Sequence, residues 1–234
     1  MRLWLASGNK HKQQELQAVF TKYTIKLPIE AGIYDFDVEE TGNSFIENAF
    51  IKAKALWVML NAADANNNED PVLADDSGLC VDILGGRPGI YSARYYGINS
   101  WDSDGNFKAK YAPEKLGDKE RNNLLLEELT AISESAEFLK KTPSDKGRLR
   151  SCRFICAMVL FINPDRFYIV QETMEGEIVP SIADIRGQGG FGYDPIVYLP
   201  ELSVTVAELT EEEKNKHSHR GKAAKLIAKF LAGD

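Results

Sequence analysis

The spacing of apolar residues changes along the chain, and this change predicts alternating strands and helices. Leu3–Ala6 is a short uninterrupted apolar run, typical of a buried strand, and it stops at a Ser-Gly-Asn turn. Apolar residues then recur at helical spacing up to Phe20, with Asn9 placed to cap the helix. The chain therefore opens as strand, tight loop and helix, and a second short strand is predicted to end at Pro28.

A second helix is marked at its start by a capping-box pattern, Ser44 followed by Glu47. The helical spacing of apolar residues continues for about five turns. The polar, Asn-rich segment Asn61–Asp70 is then predicted as a surface loop.

The later segments combine strand and helix patterns. Val72–Ala74 is predicted as a buried strand that ends at two acids, Asp75 and Asp76. Phe154–Ile162 and Phe167–Val170 are rich in β-branched and aromatic residues around an Asn-Pro-Asp turn, which predicts a hairpin. A final amphipathic helix is predicted toward the end of the chain. The fold class is therefore α/β, with a long twisted mixed sheet flanked by helices.

Composition narrows the class of protein. With 234 residues, 44% hydrophobic and 27% charged, residues 1–234 are expected to form one folded domain. The net charge of −7 argues against a polymeric nucleic-acid partner, which a basic surface would bind. Three cysteines are too few for a disulfide framework, and no apolar run is long enough to span a membrane. A cytoplasmic protein without a membrane partner is expected.

The loop from Ser7 to Lys12 joins a strand to a helix and is a candidate anion site. Free backbone N–H groups and the positive end of the helix dipole would stabilise a phosphate there, and the lysines add charge. The loop lacks the second glycine and the Gly-Lys-Ser/Thr ending of a Walker loop. A plain turn with solvated lysines is the alternative.

Four acids form the more specific candidate. Asp75 and Asp76 follow a buried strand, and Glu39 and Glu40 precede a capped helix. Carboxylates of this kind suit Mg²⁺, which takes one or two of them and leaves its other positions to water and phosphate. One carboxylate beside the ion could also accept a proton from an attacking water. Alternatively, each acid is a solvated cap or loop residue.

The segment Gly187–Gly192 satisfies the G-x-G-x-x-G dinucleotide fingerprint, but a helix does not follow it, so a Rossmann site is not predicted. The loop offers an aromatic ring, Phe191, and an acid, Asp194, and a purine could stack on the ring. The alternative is that Phe191 and Tyr193 fill the core beneath a turn.

Charged residues also cluster at the start of the last helix. His217 and His219 are two positions apart and do not share a helix face, so joint zinc ligation is not expected. Lys214 and Arg220 are either solvated charges or ligands of a phosphate or of the oxo edge of a base. Cysteines at 152 and 156 are expected to be buried in a strand.

Six ordered motifs resemble the inosine/xanthosine triphosphate pyrophosphatase family, from about residue 3 to about residue 231. They are Ser7–Lys12, Glu40–Gly42 with Phe45–Ala49, Ala74–Leu79, Pro88–Arg94, Gly190–Pro195 and Ser218–Gly221. The resemblance implies an α/β fold with a long central sheet and two lobes around a central cleft, usually as a homodimer. It implies Mg²⁺-dependent hydrolysis of the purine nucleoside triphosphates ITP, dITP and XTP to the monophosphate and pyrophosphate, which cleanses the nucleotide pool.

The resemblance also assigns roles to positions. Glu40 and Asp76 would bind the metal, and Asp76 would be catalytic. The phosphates would be held by the first loop, Ser7, Gly8, Asn9, Lys10, His11 and Lys12. Lys52 and Ser77 would also contact the substrate. The base would be contacted by Phe191, Gly192, Tyr193, Asp194, Lys214, His219 and Arg220.

With these residue roles, the expected mechanism is attack on the α-phosphorus by a water that Asp76 activates. Hydrogen-bond donors aimed at the 6-oxo group would discriminate against ATP. Three positions depart from the family pattern: Ser7 replaces a usual threonine, His217 replaces an aliphatic residue, and the segment Asn61–Asp70 is longer than usual. The alternatives are a Maf-type pyrophosphatase of modified or canonical nucleotides, and a non-catalytic module that binds nucleotides.

Overall fold

The computed structural model describes residues 1–63, 70–97, 100, 116–140, 148–188 and 190–232. Its strands are β1 (Arg2–Leu5), β2 (Thr24–Lys26), β3 (Val72–Val81), β4 (Ser151–Asn163), β5 (Arg166–Ile178), β6 (Val197–Leu199) and β7 (Val204–Thr205). They form a seven-stranded sheet in the order β2-β1-β3-β4-β5-β6-β7. Strand β1 is parallel to β2 and β3, and β6 is antiparallel to β5 and β7. The predicted mixed sheet is confirmed.

The helices of the described ranges flank this sheet. They are α1 (Lys10–Val19), α2 (Phe45–Ala62), α3 (Asp118–Glu134), α4 (Ala136–Leu139), α5 (Glu211–His217) and α6 (His219–Ala232). None of these helices is long and apolar enough to cross a membrane.

Local sequence signals explain where α2 begins, but not where it ends. The Ser44 hydroxyl accepts a hydrogen bond from the Glu47 N–H at 3.2 Å, while the Glu47 carboxylate accepts one from the Asn43 N–H. The capping box is therefore present with its return bond shifted by one residue. The helix has 18 residues, the five turns predicted, and includes Asn61. The loop predicted from Asn61 thus starts too early, and residues 64–69 lie outside the described ranges.

The predicted final helix is two helices that break at Ser218. The Ser218 hydroxyl accepts a hydrogen bond from the Gly221 N–H at 3.0 Å, and this bond begins α6 with a side-chain cap. A Cβ atom at Gly221 would lie 2.3 Å from the Asn215 carbonyl oxygen. Only glycine allows α6 to start this close to the backbone of α5.

The chain divides into two compact units, each built from separate stretches. The first comprises Met1–Ser77, Ile155–Met174 and Glu211–Asp234, and the second comprises Gly78–Phe154 and Glu175–Thr210. Each of the three long strands β3, β4 and β5 contributes residues to both units.

The core of the first unit lies on both faces of the sheet. On one face, apolar residues of β1 to β4 pack with α1 and α6: Leu3, Leu5, Leu16, Phe20, Ile25, Leu73, Cys156, Met158, Leu160, Ala223, Ala224 and Ile227. Phe161 alternates to the other face, because successive strand residues point in opposite directions. There its ring contacts Phe50 and Trp57 of α2 edge-on, with ring centroids 5.7 Å apart in both pairs. Strand β4 therefore has helices packed on both of its faces.

The predicted hairpin has its turn in the first unit, and its strands are longer than the pattern indicated. Strands β4 and β5 each have 13 residues and follow one another around Asn163 and Asp165, as predicted. The Asn163 side chain accepts a hydrogen bond from the Asp165 N–H at 3.0 Å, which closes the turn. Helix α3 packs through Leu125, Leu126 and Leu129, which are all buried.

Candidate functional site

The two acids that follow Ala74 lie within strand β3 and not at its end. Strand β3 continues to Val81, so the prediction that it stops at Asp75 is wrong. Its pairing with β1, however, covers only Val72 and Leu73, because β1 ends at Leu5. The acids therefore lie just beyond the end of a neighbouring parallel strand, where α/β sheets commonly bind ligands. The two acids therefore lie beside the end of a parallel strand, as the sequence predicted, although the predicted end of β3 is wrong.

Adjacent residues of a strand point to opposite faces of the sheet, and Asp75 and Asp76 follow this rule. Asp75 points toward α1 and α6, where it meets Lys12 and Arg220. Asp76 points toward α2, where it meets Lys52. The site therefore consists of two separate ion-pair networks within the first unit.

The Asp75 network holds two cations. The Lys12 Nζ donates to both carboxylate oxygens of Asp75 at 3.0 and 3.1 Å, and the Arg220 Nε donates to Oδ2 at 3.2 Å. The Ser77 hydroxyl, two residues along and on the same face, donates to Oδ2 at 3.2 Å. The Asp75 side chain is 1% exposed. Arg220 also donates to the Glu15 carboxylate at 2.8 Å.

Burial and the neighbouring charges shift the pKa of Asp75 in opposite directions. Burial alone would raise the pKa of its carboxyl, but Lys12 and Arg220 outweigh burial and hold that pKa well below its ordinary value. Asp75 is therefore ionised at every working pH. Because both of its carboxylate oxygens accept from donors of the protein, we expect Asp75 to orient the two cations and not to act as a base.

The Asp76 network holds two acids and one cation. The Lys52 Nζ donates to the Glu40 carboxylate at 2.8 Å and to Asp76 Oδ1 at 3.2 Å. Burial raises the pKa of Asp76, Glu40 raises it further, and Lys52 acts in the opposite direction. Burial opposes the charged form of Lys52, but Asp76, Asp75 and Glu40 outweigh it, so the pKa of Lys52 is raised. Lys52 is therefore a permanent ammonium between two carboxylates.

A buried amide, Asn48, belongs to this network and was missed by sequence reasoning. Its Nδ2 donates to Asp76 Oδ2 at 3.3 Å, and its Oδ1 accepts from the Gly42 N–H at 2.9 Å. A Cβ atom at Gly42 would lie 2.7 Å from that Oδ1, so only glycine permits the contact. The signal available in the sequence was a polar residue on the apolar face of α2, where Phe45 and Ala49 are buried.

The loop that begins at Ser7 is less open to a ligand than its sequence suggested. The Asn9 side chain accepts from the N–H groups of His11 and Lys12, at 2.9 and 3.2 Å. The Asn9 N–H itself donates to the Ser7 hydroxyl at 3.1 Å. The Ser7 N–H donates to the Leu5 carbonyl at 2.8 Å, so the expectation of a row of free N–H groups is wrong for four positions. Among the described residues, the N–H groups of Gly8 and Lys10 stay available.

Side chains of the same loop and of α5 differ in exposure. Lys10 and His11 are exposed on α1, and within the described chain neither is bonded to Asp75 or Asp76. Lys214 is half-buried in α5. His219 is buried, and burial together with the charge of Arg220 lowers its pKa well below the ordinary value. His219 is therefore a neutral imidazole at neutral pH.

The predicted base-binding loop lies in the second unit, and its residues hold one another. The Asp194 carboxylate accepts from the Phe191 N–H at 2.9 Å, and the Phe191 carbonyl accepts from the Asp194 N–H at 2.8 Å. The ring of Phe191 is half-buried and meets Phe154 edge-on at 5.6 Å. Tyr193 is 1% exposed, as a core residue would be. A short 3₁₀ helix and then β6 follow, so the exclusion of a Rossmann site is confirmed.

The cysteines and the other metal-ligating side chains of the described ranges give no further candidate site. Cys80, Cys152 and Cys156 are buried and free, as expected for strand cysteines. Burial raises the pKa of Cys80 to about 11 and that of Cys156 to about 12, so neither thiol is a nucleophile at neutral pH. No group of three or more His, Cys, Asp or Glu side chains in the described ranges is arranged to hold a metal.

The fold and site together define an α/β protein with carboxylates and cations gathered where parallel strands end, a class that binds phosphorylated ligands. Residues 3–230 match the sequence model of the Ham1 family, and the chain belongs to this family.

Named relatives and solved structures cover the whole chain. A protein of Treponema denticola called dITP/XTP pyrophosphatase is 43% identical over 233 residues, 100% of both chains. Another of the same name, from Halalkalibacterium halodurans, is 38% identical over 99% of this chain and 100% of its own. The Staphylococcus aureus Ham1 protein superimposes with a TM-score of 0.71 at 35% identity, over 100% of this chain and 99% of its own.

Proposed function

We propose that this chain is a pyrophosphatase that hydrolyses the non-canonical purine nucleotides dITP, ITP and XTP to the monophosphate and pyrophosphate. Membership of the Ham1 family and the full-length relatives named dITP/XTP pyrophosphatase support the reaction class. The observation that carries the proposal is the pair of opposite networks on β3. The Asp75 network offers the cations Lys12 and Arg220 to phosphate. The Asp76 network offers the carboxylates of Glu40 and Asp76 to a metal ion.

The residues on β3 and α2 fit a magnesium ion. Glu40 and Asp76 converge on one ammonium, so their carboxylate oxygens are close enough to share a cation. These hard oxygen donors carry two negative charges against the single charge of Lys52, and Mg²⁺ prefers such ligands. Glu40 and Asp76 would hold the ion. When bound, it would neutralise charge on the triphosphate and polarise its oxygens.

The protein's own cations would bind the phosphates. Lys12 is fixed by two hydrogen bonds to Asp75, and Arg220 is fixed by Asp75 and Glu15. Both cations are thereby oriented before substrate arrives, which lowers the entropic cost of binding. The unbonded N–H groups of Gly8 and Lys10 would add donors at the start of α1.

Asp76 is the proposed general base. Its raised pKa makes its carboxylate a better proton acceptor than an ordinary aspartate. Water would lose a proton to Asp76 and form a bond to the α-phosphorus, while the α–β anhydride bond breaks and pyrophosphate leaves. Asn48 holds the Oδ2 atom of Asp76, and Lys52 holds Oδ1, so the carboxylate plane is fixed for this transfer.

The loop from Phe191 to Asp194 is the proposed base-binding element. Phe191 offers a half-buried aromatic ring for stacking, and its turn is closed by Asp194. Lys214 and the neutral His219 are proposed donors toward the 6-oxo group, whereas Arg220, held by Asp75, is proposed for the phosphates. An amino group at that position would place a donor against a donor and leave polar groups unpaired.

The resemblance also supports a homodimer in the cytoplasm. Sedimentation equilibrium of the purified chain tests the dimer: a mass near 52 kDa is expected from the 26.1 kDa chain, and 26.1 kDa would contradict it.

One assay tests the proposed function. Pyrophosphate release is measured with dITP, ITP, XTP, GTP and ATP, each with Mg²⁺ and with a chelator. Metal-dependent release from the first three nucleotides, well above that from GTP and ATP, is expected. Equal release from all five nucleotides would favour a Maf-type enzyme. Binding of dITP without release would favour the non-catalytic module.

A further inference from the structure

Hydrogen bonds within the loop Phe191–Asp194 close it, and its backbone also accepts a hydrogen bond from a residue outside the loop. The Asn122 Nδ2 in α3 donates to the Gly192 carbonyl oxygen at 2.9 Å. The Tyr193 hydroxyl donates to the Ser92 carbonyl at 2.8 Å, which anchors a side chain and leaves the backbone free. The contact from Asn122 thus fixes the orientation of the Gly192–Tyr193 peptide, immediately after the aromatic ring of Phe191.

The first turn of α3 lies directly against this peptide. Asn122 is 3% exposed. A Cβ atom at Gly192 would lie 2.7 Å from the Asp118 carboxylate and 3.5 Å from Arg121, so only glycine allows this approach. The Asn122 bond is therefore of ordinary length and partly buried, and the buried side chain of Asn122 is held close to the backbone of the loop.

Helix α3 is itself held in place. Arg121 bonds Asp118 and the carbonyl groups of Leu116 and Ala93. Further along the helix, Glu128 is buried and accepts a hydrogen bond from the Tyr95 hydroxyl. Asn122 therefore projects from a fixed support, which a positioning residue requires.

We propose that Asn122 is a positioning residue for the nucleobase: it fixes the Gly192–Tyr193 peptide and so sets the geometry with which the loop receives the base. The inference rests on the proposed function, because that function makes this loop the base-binding element. The hydrogen bond that the Asn122 side chain makes in the described part of the chain goes to the base-binding loop, so the proposed role concerns the base. Loss of the bond leaves a partly buried carbonyl without this donor and lets the peptide turn.

The test compares Asn122→Asp and Asn122→Ser with the control Glu127→Gln, at an exposed position of the same helix. Asn122→Asp keeps the shape of the side chain but faces the Gly192 carbonyl with a second acceptor. We expect the KM for dITP to rise about tenfold, the size expected for one lost buried hydrogen bond. Discrimination between dITP and dATP should fall by a similar factor. The Glu127→Gln variant should change neither by more than about twofold, within the spread of surface substitutions.

A second measurement distinguishes a positioning role of Asn122 from a general loss of structure. Inorganic pyrophosphate has no base, so its inhibition constant as a product inhibitor should stay within about twofold of wild type in both Asn122 variants. An unchanged KM for dITP would overturn the inference. So would a parallel rise in the pyrophosphate inhibition constant, or loss of folding in both variants, since either shows a structural role. A wild-type chain that releases no pyrophosphate from dITP would instead refute the proposed function.

Discussion

Asp75 and Asp76 are neighbours in one strand, yet their carboxylates belong to different ion-pair networks on opposite faces of the sheet. Asp75 holds Lys12 and Arg220, whereas Asp76 shares Lys52 with Glu40. The first acid is surrounded by positive charge and the second lies beside another acid. The same residue type, one position apart, is therefore placed to orient cations in one case and to accept a proton in the other.

Asp76→Asn should remove activity without unfolding the protein. The amide cannot accept the proton of the attacking water, so kcat should fall by at least about a hundredfold. Pyrophosphate release from dITP measures it, and Asp165→Asn in the exposed β4–β5 turn is the matched control. If Asp76→Asn retained the wild-type rate, the assignment of the general base would be wrong.

The stability effects of the two neighbouring acids should differ in direction. The raised pKa of Asp76 means that its charge is disfavoured in the folded state, so Asp76→Asn should leave the free energy of unfolding unchanged or slightly higher. The lowered pKa of Asp75 means that its charge is favoured in the folded state, so Asp75→Asn should lower the free energy of unfolding. Asp75→Asn should cost about 3 kcal/mol, because it leaves buried cations without their counter-charge.

Urea unfolding of both variants at pH 7 measures this contrast. The Asp75→Asn variant should also show a raised KM for dITP, because Lys12 and Arg220 lose their shared anchor. Equal destabilisation by the two substitutions would contradict the separation of the networks.

Gly42→Ala should disturb the site through Asn48. The new methyl group would lie 2.6 Å from the Glu47 Cβ and 2.7 Å from the Asn48 Oδ1, so one of them must move. We expect a loss of about 1 to 3 kcal/mol of stability, together with a lower kcat, because Asn48 also holds Asp76.

A second glycine provides the control for this overpacking. At Gly117 a Cβ atom would meet only the Glu120 carboxylate, at 3.4 Å, so Gly117→Ala should be tolerated. Thermal unfolding and pyrophosphate release are measured for both variants. An unchanged kcat in a folded Gly42→Ala protein would show that Asn48 does not matter to Asp76.

His219 should make stability depend on pH below neutrality. Its folded pKa is depressed, so between that value and the unfolded value near 6.5 the unfolded chain binds the extra proton. Stability is therefore fully present above about pH 6.5 and is lost as the pH falls toward the folded pKa, by up to about 1.4 kcal/mol per pH unit.

The measurement is thermal unfolding of wild type and His219→Asn between pH 7.5 and 5. The stability of wild type relative to His219→Asn should decline as the pH falls. The matched change His11→Asn, at an exposed histidine, should leave the wild-type slope unaltered. A difference between wild type and His219→Asn that does not vary with pH would mean that His219 is charged or accessible in the folded protein.

Much of the fold follows from local sequence patterns. The buried run at Leu3–Ala6, the Asn9 and Ser44 caps and the Asn-Pro-Asp turn each depend on residues a few positions apart, and each is found where it was predicted. Strand ends were less predictable. Strand β3 continues through Asp75 because those carboxylates find cations on other elements, which compensates for burying charge inside a sheet.

The sequence by itself determined the family, the order of elements and the set of charged residues available for chemistry, because motifs and periodicities are local properties of a chain. Tertiary structure alone decided how those residues are used. It placed Asp75 and Asp76 on opposite faces, joined Lys12 to Arg220 through one carboxylate, and brought Asn48 to Asp76. These pairings join residues 28 to 145 positions apart, and only the packing of helices on both faces of β3 brings them together.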